Sequence, residues 1–74
     1  MQEIRIRPGL IETLRETRKI TSEDAMARLI GVDRTTLWRV TSGSSPSAAF
    51  IAQFCTAFGL GLGEAFVIVD SVAA

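Results

Sequence analysis

The sequence predicts a mainly α-helical fold, a bundle of four to five helices with a short β-strand near each end of the chain. Three observations predict it. Apolar residues recur at helical spacing between positions 10 and 58, residues that favour helix ends separate these runs, and residues 2–7 and 66–70 have strand patterns instead. With 74 residues, 47% of them hydrophobic, the chain can bury one small core. We therefore expect one domain, residues 1–74.

The two predicted strands differ in pattern. Residues 2–7, QEIRIR, alternate, so that Ile4 and Ile6 lie on one side. The other side carries Glu3, Arg5 and Arg7, and we predict that it faces solvent. The C-terminal strand rests on the β-branched, apolar run of residues 67–69. Its partner is either the first strand of the same chain or a second subunit.

A first helix is predicted to begin at Leu10, after Pro8-Gly9 has ended the strand. Leu10, Ile11 and Leu14 form its apolar face. The opposite face is charged, and we predict that it is solvated: Glu12, Arg15, Glu16 and Lys19.

Two short helices joined by a tight turn are predicted next. The run of residues 21–24, TSED, favours a helix start, because a hydroxyl caps free amides and acids meet the positive end of the helix dipole. The helix covers residues 25–30 and buries Met26, Ala27 and Ile30. Gly31 ends it, since glycine adopts a left-handed conformation without strain.

The second of these helices covers residues 33–41, with Asp33 as its cap and Leu37 and Val40 facing inward. Val32 is expected to pack beneath the turn. Together, residues 22–41 have the layout of a helix-turn-helix that reads DNA, although structural bundles also contain such helix pairs.

The outer face of this second helix carries the predicted base contacts Arg34, Thr35, Trp38 and Arg39. Each arginine can donate two hydrogen bonds to guanine O6 and N7, and Thr35 and Trp38 offer apolar contact to a thymine methyl group. Tryptophan is also common in buried positions and protein interfaces, so both interpretations stay open for Trp38.

A loop over residues 41–47 leads into the clearest helix, residues 48–58, which Ser45 or Ser47 caps and Gly59 ends. Its broad apolar stripe comprises Phe50, Ile51, Phe54, Cys55 and Phe58. Residues 61–66 predict one weak helical turn, because each of its two glycines disfavours helix.

Composition excludes several function classes. The chain has no histidine and one cysteine, Cys55, so it predicts neither a zinc cluster nor an internal disulfide. We find no phosphate loop or nucleophile motif, no apolar run of about 20 residues and no signal peptide. We therefore expect a soluble, cytoplasmic, non-enzymatic protein with no cofactor, no small-molecule ligand and no membrane association.

Charge is unevenly distributed along the chain. Eight basic and eight acidic residues cancel, which argues mildly against nucleic-acid binding. All the basic residues lie in the first 39 positions, and after position 39 only Glu64 and Asp70 are charged. One surface is thus suited to phosphate and another to a partner.

The run SEDAMARLIGVDRTTLWRVTSGSSPS, continued by AAFIAQFCTAFGLGLGEAF, resembles the Cro/C1-type helix-turn-helix regulators, the XRE-like family of phage and bacterial repressors. The resemblance covers about residues 10–66. It rests on Ala27, Gly31-Val32, Leu37, Val40, Gly43, Pro46-Ser47 and Phe58-Gly59-Leu60. The terminal strands are similar to those of small Cro proteins, in which a C-terminal β-segment helps to form the dimer.

The resemblance implies a lambda-repressor-like DNA-binding bundle in which residues 33–41 enter the major groove and read bases. It also implies four phosphate contacts: Ser22, Thr36, Ser42 and Ser44. The sequence departs from the family at Glu23, where glutamine is frequent beside a phosphate, and in a loop with serines in place of basic residues. Both departures weaken the electrostatic attraction to DNA.

Two functions are therefore expected. The first is a sequence-specific transcriptional regulator, a Cro-like repressor of phage or prophage origin that binds a double-stranded DNA operator as a homodimer. The alternative is a protein-interaction module on the same scaffold, such as an antitoxin or an antirepressor. Zero net charge, Trp38 and the apolar C-terminal strand motivate the alternative.

Overall fold

The fold, in a computed structural model that describes residues 1–70, is a small bundle of five helices closed by two antiparallel strands. The mainly helical class is as expected. In chain order the elements are β1 (Gln2–Ile6), α1 (Leu10–Thr17), α2 (Glu23–Ile30), α3 (Arg34–Thr41), α4 (Ala48–Phe58), α5 (Leu62–Ala65) and β2 (Phe66–Asp70).

The core is built around α4. Its residues Phe50, Phe54 and Phe58 are buried at successive turns, and their rings stack or tilt against one another at centroid distances of 5.9 and 5.0 Å. Phe66, at the start of β2, meets the Phe54 ring edge-on at 5.7 Å. The other helices contribute buried aliphatic side chains: Leu14, Ile20, Met26, Ala27, Ile30, Leu37, Val40 and Ala65. Every predicted inward residue of α2 and α3 is among them.

Side-chain caps fix where three of the helices begin. Ser22, Asp33 and Ser47 each accept a hydrogen bond from the backbone N–H three residues later, at 3.1, 2.6 and 3.1 Å. Of the two serines predicted as alternatives for α4, Ser47 is therefore the cap. Gly31 and Gly59 end α2 and α4 with left-handed backbones, at φ of 91° and 64°.

The first helix is shorter than the charge pattern predicts. It ends at Thr17, and Lys19 lies beyond it with a φ of 54°, the left-handed conformation that usually falls to glycine. The Ile20 N–H bonds back to the Arg15 carbonyl at 2.9 Å and closes the turn. Lys19 is therefore exposed, as expected, but not on the helix surface.

The two strands pair with each other within the chain. Their antiparallel register places Gln2 opposite Asp70, Ile4 opposite Ile68, and Ile6 opposite Phe66. At one end of the sheet the ammonium group of Met1 lies 3.0 Å from the Asp70 carboxylate. At the other end, Ile6 and Phe66 pack on the helical core.

The predicted exposure of β1 is wrong in part. The Glu3 and Arg5 side chains are half-buried, whereas Ile4, on the supposedly inward side, is exposed. Exposure alternates from Gln2 to Arg5, but Ile6 is half-buried as well because it packs on the core. These inward polar side chains are partly satisfied: Arg5 Nη2 donates to Glu3 Oε2 at 3.0 Å, and Glu3 Oε1 accepts from the Ser45 hydroxyl at 3.2 Å. The Arg5 Nε, by contrast, is buried without a hydrogen-bond partner among the described residues. Arg7 remains exposed, as predicted.

Within residues 1–70, no helix is long and apolar enough to cross a membrane. The predicted weak turn forms as α5, although Gly61 precedes it and Gly63 lies within it. Glu64 supports it by accepting a hydrogen bond from the Gly61 N–H at 2.7 Å, which satisfies an amide at the start of the helix.

Candidate nucleic-acid interface

A three-residue turn joins α2 to α3. The N–H groups of Gly31 and Val32 both donate to the Ala27 carbonyl, at 2.9 and 3.0 Å, so the turn closes directly on the end of α2. Val32 packs against the core beneath it, as predicted. Leu37 and Val40 then anchor α3 from below. The remaining positions of α3 are left at the surface of the molecule.

The exposed side chains of α3 form two adjacent rows. Arg34 and Trp38 are four residues apart and share one row, and Thr35 and Arg39 share the next. All four are exposed, so the structure brings the four predicted base contacts together on one helix face. This face is short, because α3 has eight residues.

The first row borders acidic groups of the neighbouring helices. The Arg34 Nε lies 3.8 Å from Asp24 Oδ1 in the first turn of α2, and both side chains are largely exposed. At that distance in water the attraction is weak. The ion pair nevertheless places a carboxylate beside the arginine that is predicted to contact guanine.

Trp38 is 60% exposed and lines an open cleft between α1, α2 and α3. The cleft is lined by apolar side chains, by one arginine, Arg15, and by three carboxylates: Glu12, Glu16 and Glu23. None of the three forms an ion pair within the described residues. The row that contains Trp38 therefore borders a cleft with more acidic than basic side chains, whereas Thr35 and Arg39 do not line this cleft.

The four predicted phosphate contacts differ in their availability. Ser42 and Ser44 are exposed just beyond α3, where their N–H groups bond to the carbonyls of Trp38 and Arg39, both at 2.9 Å. Ser22 is exposed too, with its oxygen already accepting the Ala25 N–H. Thr36 is half-buried, on the flank of α3 that turns towards the core.

The loop after α3 rests on β1, a contact that the sequence pattern did not reveal. Ser45 donates to Glu3, and the Arg5 guanidinium lies beneath Gly43, where an added Cβ would be 3.1 Å from Nη1. Gly43 also has a φ of 109°, which disfavours other residues. The sheet thus positions the loop that carries Ser42 and Ser44.

Most of the arginines are engaged within the molecule. Arg7, Arg15 and Arg18 donate to backbone carbonyls, of Gly63, of Ile20 and Thr21, and of Phe58 respectively. The Arg18 guanidinium also stacks over the Phe58 ring at 5.6 Å. Among the described residues, Arg39 has no hydrogen-bond or ion-pair partner, and it is the arginine of α3 that no acidic side chain engages in this way.

Asp33 is charged at the start of α3. Its carboxylate accepts the Thr36 N–H, and this hydrogen bond is the main reason why the pKa of Asp33 lies below its ordinary value. The hydroxyl of Thr36 and the charge of Arg39 act in the same direction. The cap therefore stays ionised at neutral pH and fixes the end of α3 from which Arg34 and Thr35 project.

The sequence profile of one protein family, described as a helix-turn-helix domain, matches residues 9–65 of this chain. The match begins before α1 and ends with α5, so it includes α2, the turn and α3. No curated protein and no solved structure matches the chain. Within the described residues, no group of three potential ligand side chains is placed to hold a metal ion.

Proposed function

Because the chain belongs to the family of helix-turn-helix domains, we propose that it is a sequence-specific DNA-binding regulator of transcription. The single domain inserts α3 into the major groove of a double-stranded operator. The observation that carries this proposal is the exposed second row of α3, in which Arg39 has no hydrogen-bond or ion-pair partner inside the described part of the molecule. Helix-turn-helix domains of this kind are typically non-enzymatic, and a regulator of this kind acts in the cytoplasm.

We assign the base contacts to four residues of α3, which we expect to contribute unequally to the affinity for DNA. Arg39 and Thr35 form the centre: the guanidinium donates to guanine, and the threonine methyl group contacts thymine. Arg34 joins them once DNA has displaced Asp24, since a desolvated base edge offers two hydrogen bonds in place of one long ion pair. Trp38 lies at the margin, beside the acidic cleft.

Phosphate contacts come from the helix and loop ends that flank α3. Ser42 and Ser44 offer hydroxyl groups on one side, Ser22 offers one on the other, and Thr36 contributes from the flank of α3. Such contacts fix the orientation of a protein on DNA without reading its sequence. Neutral hydroxyls add little to the salt-dependent attraction, so base contacts supply most of the affinity.

The mode of action that fits so small a domain is repression by occupancy, as in Cro-like proteins of phage or prophage origin. A single α3 reads only a few base pairs. Two copies bound as a homodimer to half-sites about 34 Å apart would give usable specificity.

Selection of bound sequences from random DNA tests the proposal. We expect a palindromic site for the parent protein. Arg39→Ala and Arg34→Ala should each weaken specific binding by tenfold or more while the melting temperature stays nearly constant. Arg28→Ala is the matched control, because Arg28 is an exposed arginine on α2, outside the proposed site. If the α3 variants bind the selected site as the parent does, the assignment of the site is wrong.

The cleft beside Trp38 favours a second function, a protein-interaction module such as an antitoxin or antirepressor. Its three unpaired carboxylates and exposed indole suit a basic peptide better than a phosphate backbone. The effects of two α3 substitutions separate the two functions. If the chain binds an operator, Trp38→Ala should weaken DNA binding less than Arg39→Ala does. An absence of enriched DNA, with a protein partner lost on Trp38→Ala, would favour the second function.

A further inference from the structure

The backbone of Lys19 has a conformation that is unfavourable for lysine. The residue lies between α1 and α2 with a φ of 54°, a left-handed conformation that glycine adopts without strain and that a residue with a Cβ does not. Strained residues of this kind persist where the surrounding structure enforces them, and they are concentrated at functional sites. Glycine at this position would relieve the strain but would lack the ammonium group.

Hydrogen bonds on both sides hold the Lys19 backbone in place. Its N–H donates to the Glu16 carbonyl at 3.3 Å. The next N–H, of Ile20, donates to the Arg15 carbonyl at 2.9 Å. The Arg15 guanidinium in turn donates to the Ile20 and Thr21 carbonyls, at 3.4 and 3.2 Å. The connection between α1 and α2 is thus fixed, and it presents Lys19 at a defined place.

The charge of Lys19 has no partner inside the described part of the molecule. Its side chain is exposed and forms no ion pair there. It lines a shallow depression together with Ser22, Asp24 and Arg28. Asp24 is the only carboxylate among the lining residues, and it is paired with Arg34 of α3 at 3.8 Å. The depression that Lys19 lines therefore adjoins the first row of α3.

We propose that Lys19 binds a phosphate group of the DNA backbone at the edge of the surface that α3 presents. This inference rests on the proposed operator binding and adds a charged contact to it. Ser22, which lines the same depression, is the residue proposed to contact phosphate on this side of α3. A neutral hydroxyl can orient the backbone, but only a cation releases counterions from DNA. Lys19 supplies the positive charge that Ser22 lacks and leaves the base edges to α3.

Lys19 is better placed for this role than the other basic residues outside α3. Four of them are already engaged with carbonyl groups or with a carboxylate: Arg5, Arg7, Arg15 and Arg18. Arg28 is exposed, but it lies in the last turn of α2, whereas Ser22 caps the first turn. Loss of Arg28 therefore removes an equal charge from the opposite end of the same helix, which makes it the matched control.

Fluorescence anisotropy with the selected operator, measured between about 50 and 200 mM salt, tests the proposal. For Lys19→Gly we expect binding to weaken by at least about fivefold at the lowest salt. The slope of log affinity against log salt should become shallower by about 0.9 for each copy bound, because one phosphate contact is lost. Lys19→Arg keeps the charge and should bind as the parent does. Arg28→Ala should change the affinity less than about twofold and leave the slope unchanged.

Stability separates this role from a structural one. Lys19→Gly relieves backbone strain, so its midpoint of urea unfolding should not fall while its affinity for DNA does. Three results would each overturn the proposal and leave operator binding intact: parent-like affinity and slope in Lys19→Gly, an equal loss in Arg28→Ala, or a loss that Lys19→Arg shares. A parent that binds no selected duplex would refute operator binding, and the phosphate contact with it.

Discussion

The two arginines on the exposed face of α3 have different surroundings, and this difference matters for the proposed operator binding. Arg34 stands 3.8 Å from a carboxylate oxygen of Asp24, whereas Arg39 has no such neighbour in the described residues. Two arginines that look equivalent in sequence therefore differ in what must be given up on binding. In the proposed complex Arg34 must leave Asp24, whereas Arg39 has no ion pair to break and interacts with Asp33 only through its charge at longer range.

Removal of that competing carboxylate should strengthen DNA binding. For Asp24→Asn we expect about threefold tighter binding to the selected operator at low salt, because an exposed ion pair of this length contributes well under 1 kcal/mol. Fluorescence anisotropy with labelled DNA measures the effect. Asp70→Asn is the control for net charge, since Asp70 lies at the far end of the sheet. Equal affinity gains in both variants would show that Asp24 has no local effect on Arg34.

The backbone conformation of Lys19 is a second feature of a single residue that affects the stability of the fold. Its left-handed backbone is costly for any residue with a Cβ, so Lys19→Gly should stabilise the fold by about 1 kcal/mol. Urea unfolding followed by circular dichroism measures the gain. Lys19→Ala removes the same charge without relieving the backbone, and we expect no comparable gain. A glycine variant no more stable than the alanine variant would contradict this account.

At the scale of elements, the helices were predictable because their ends are marked in the sequence. Ser22, Asp33 and Ser47 occupy the caps, glycines follow α2 and α4, and the apolar spacing between them matches the buried faces. The exposed face of α3 follows from the same spacing. The sequence did not predict the orientation of side chains whose contacts are with residues far away in the chain.

The N-terminal strand shows that limit. Alternation places Ile4 and Glu3 on opposite sides, but it does not say which side the rest of the protein covers. That choice depends on Ser45 and on the loop after α3, which are about forty residues away in sequence. The acidic cleft was missed for the same reason, since α1 brings Glu12 and Glu16 to Trp38 only through tertiary packing.

The start of α3 links element stability to pH. Folding lowers the pKa of Asp33, so its charged form stabilises the folded state above the ordinary value of 3.8, and this stabilisation is lost as the pH falls through the lower folded value. For Asp33→Asn, which caps without titrating, we expect stability to fall less steeply with acid below pH ~4. Urea unfolding between pH ~6 and ~2 measures the slope. Asp33→Ser should behave in the same way, and a variant slope equal to that of the parent would contradict the role of the cap.

At the scale of the whole molecule, the net charge is zero, so the positions of the charged residues matter more than their number. Eight basic and eight acidic residues leave no net attraction for DNA, and several arginines are engaged with carbonyl groups instead. A generally basic surface binds any duplex and relies on released counterions. This molecule has little of that surface, so the proposed operator binding must depend on base contacts and on the pairing of two weak readers.

The pairing of β1 with β2 also has a consequence for synthesis. During translation β1 emerges first, but its partner, residues 66–70, emerges only after all five helices. Until then β1 has no strand to pair with. The loop after α3, which β1 contacts through the hydrogen bond between Ser45 and Glu3, then lacks the support of a complete sheet. All the helices, including α4 at the centre of the core, are therefore synthesised before the loop beside the exposed face of α3 gains its support from the sheet. The loop after α3 therefore reaches its final position only after β2 has been synthesised and has paired with β1.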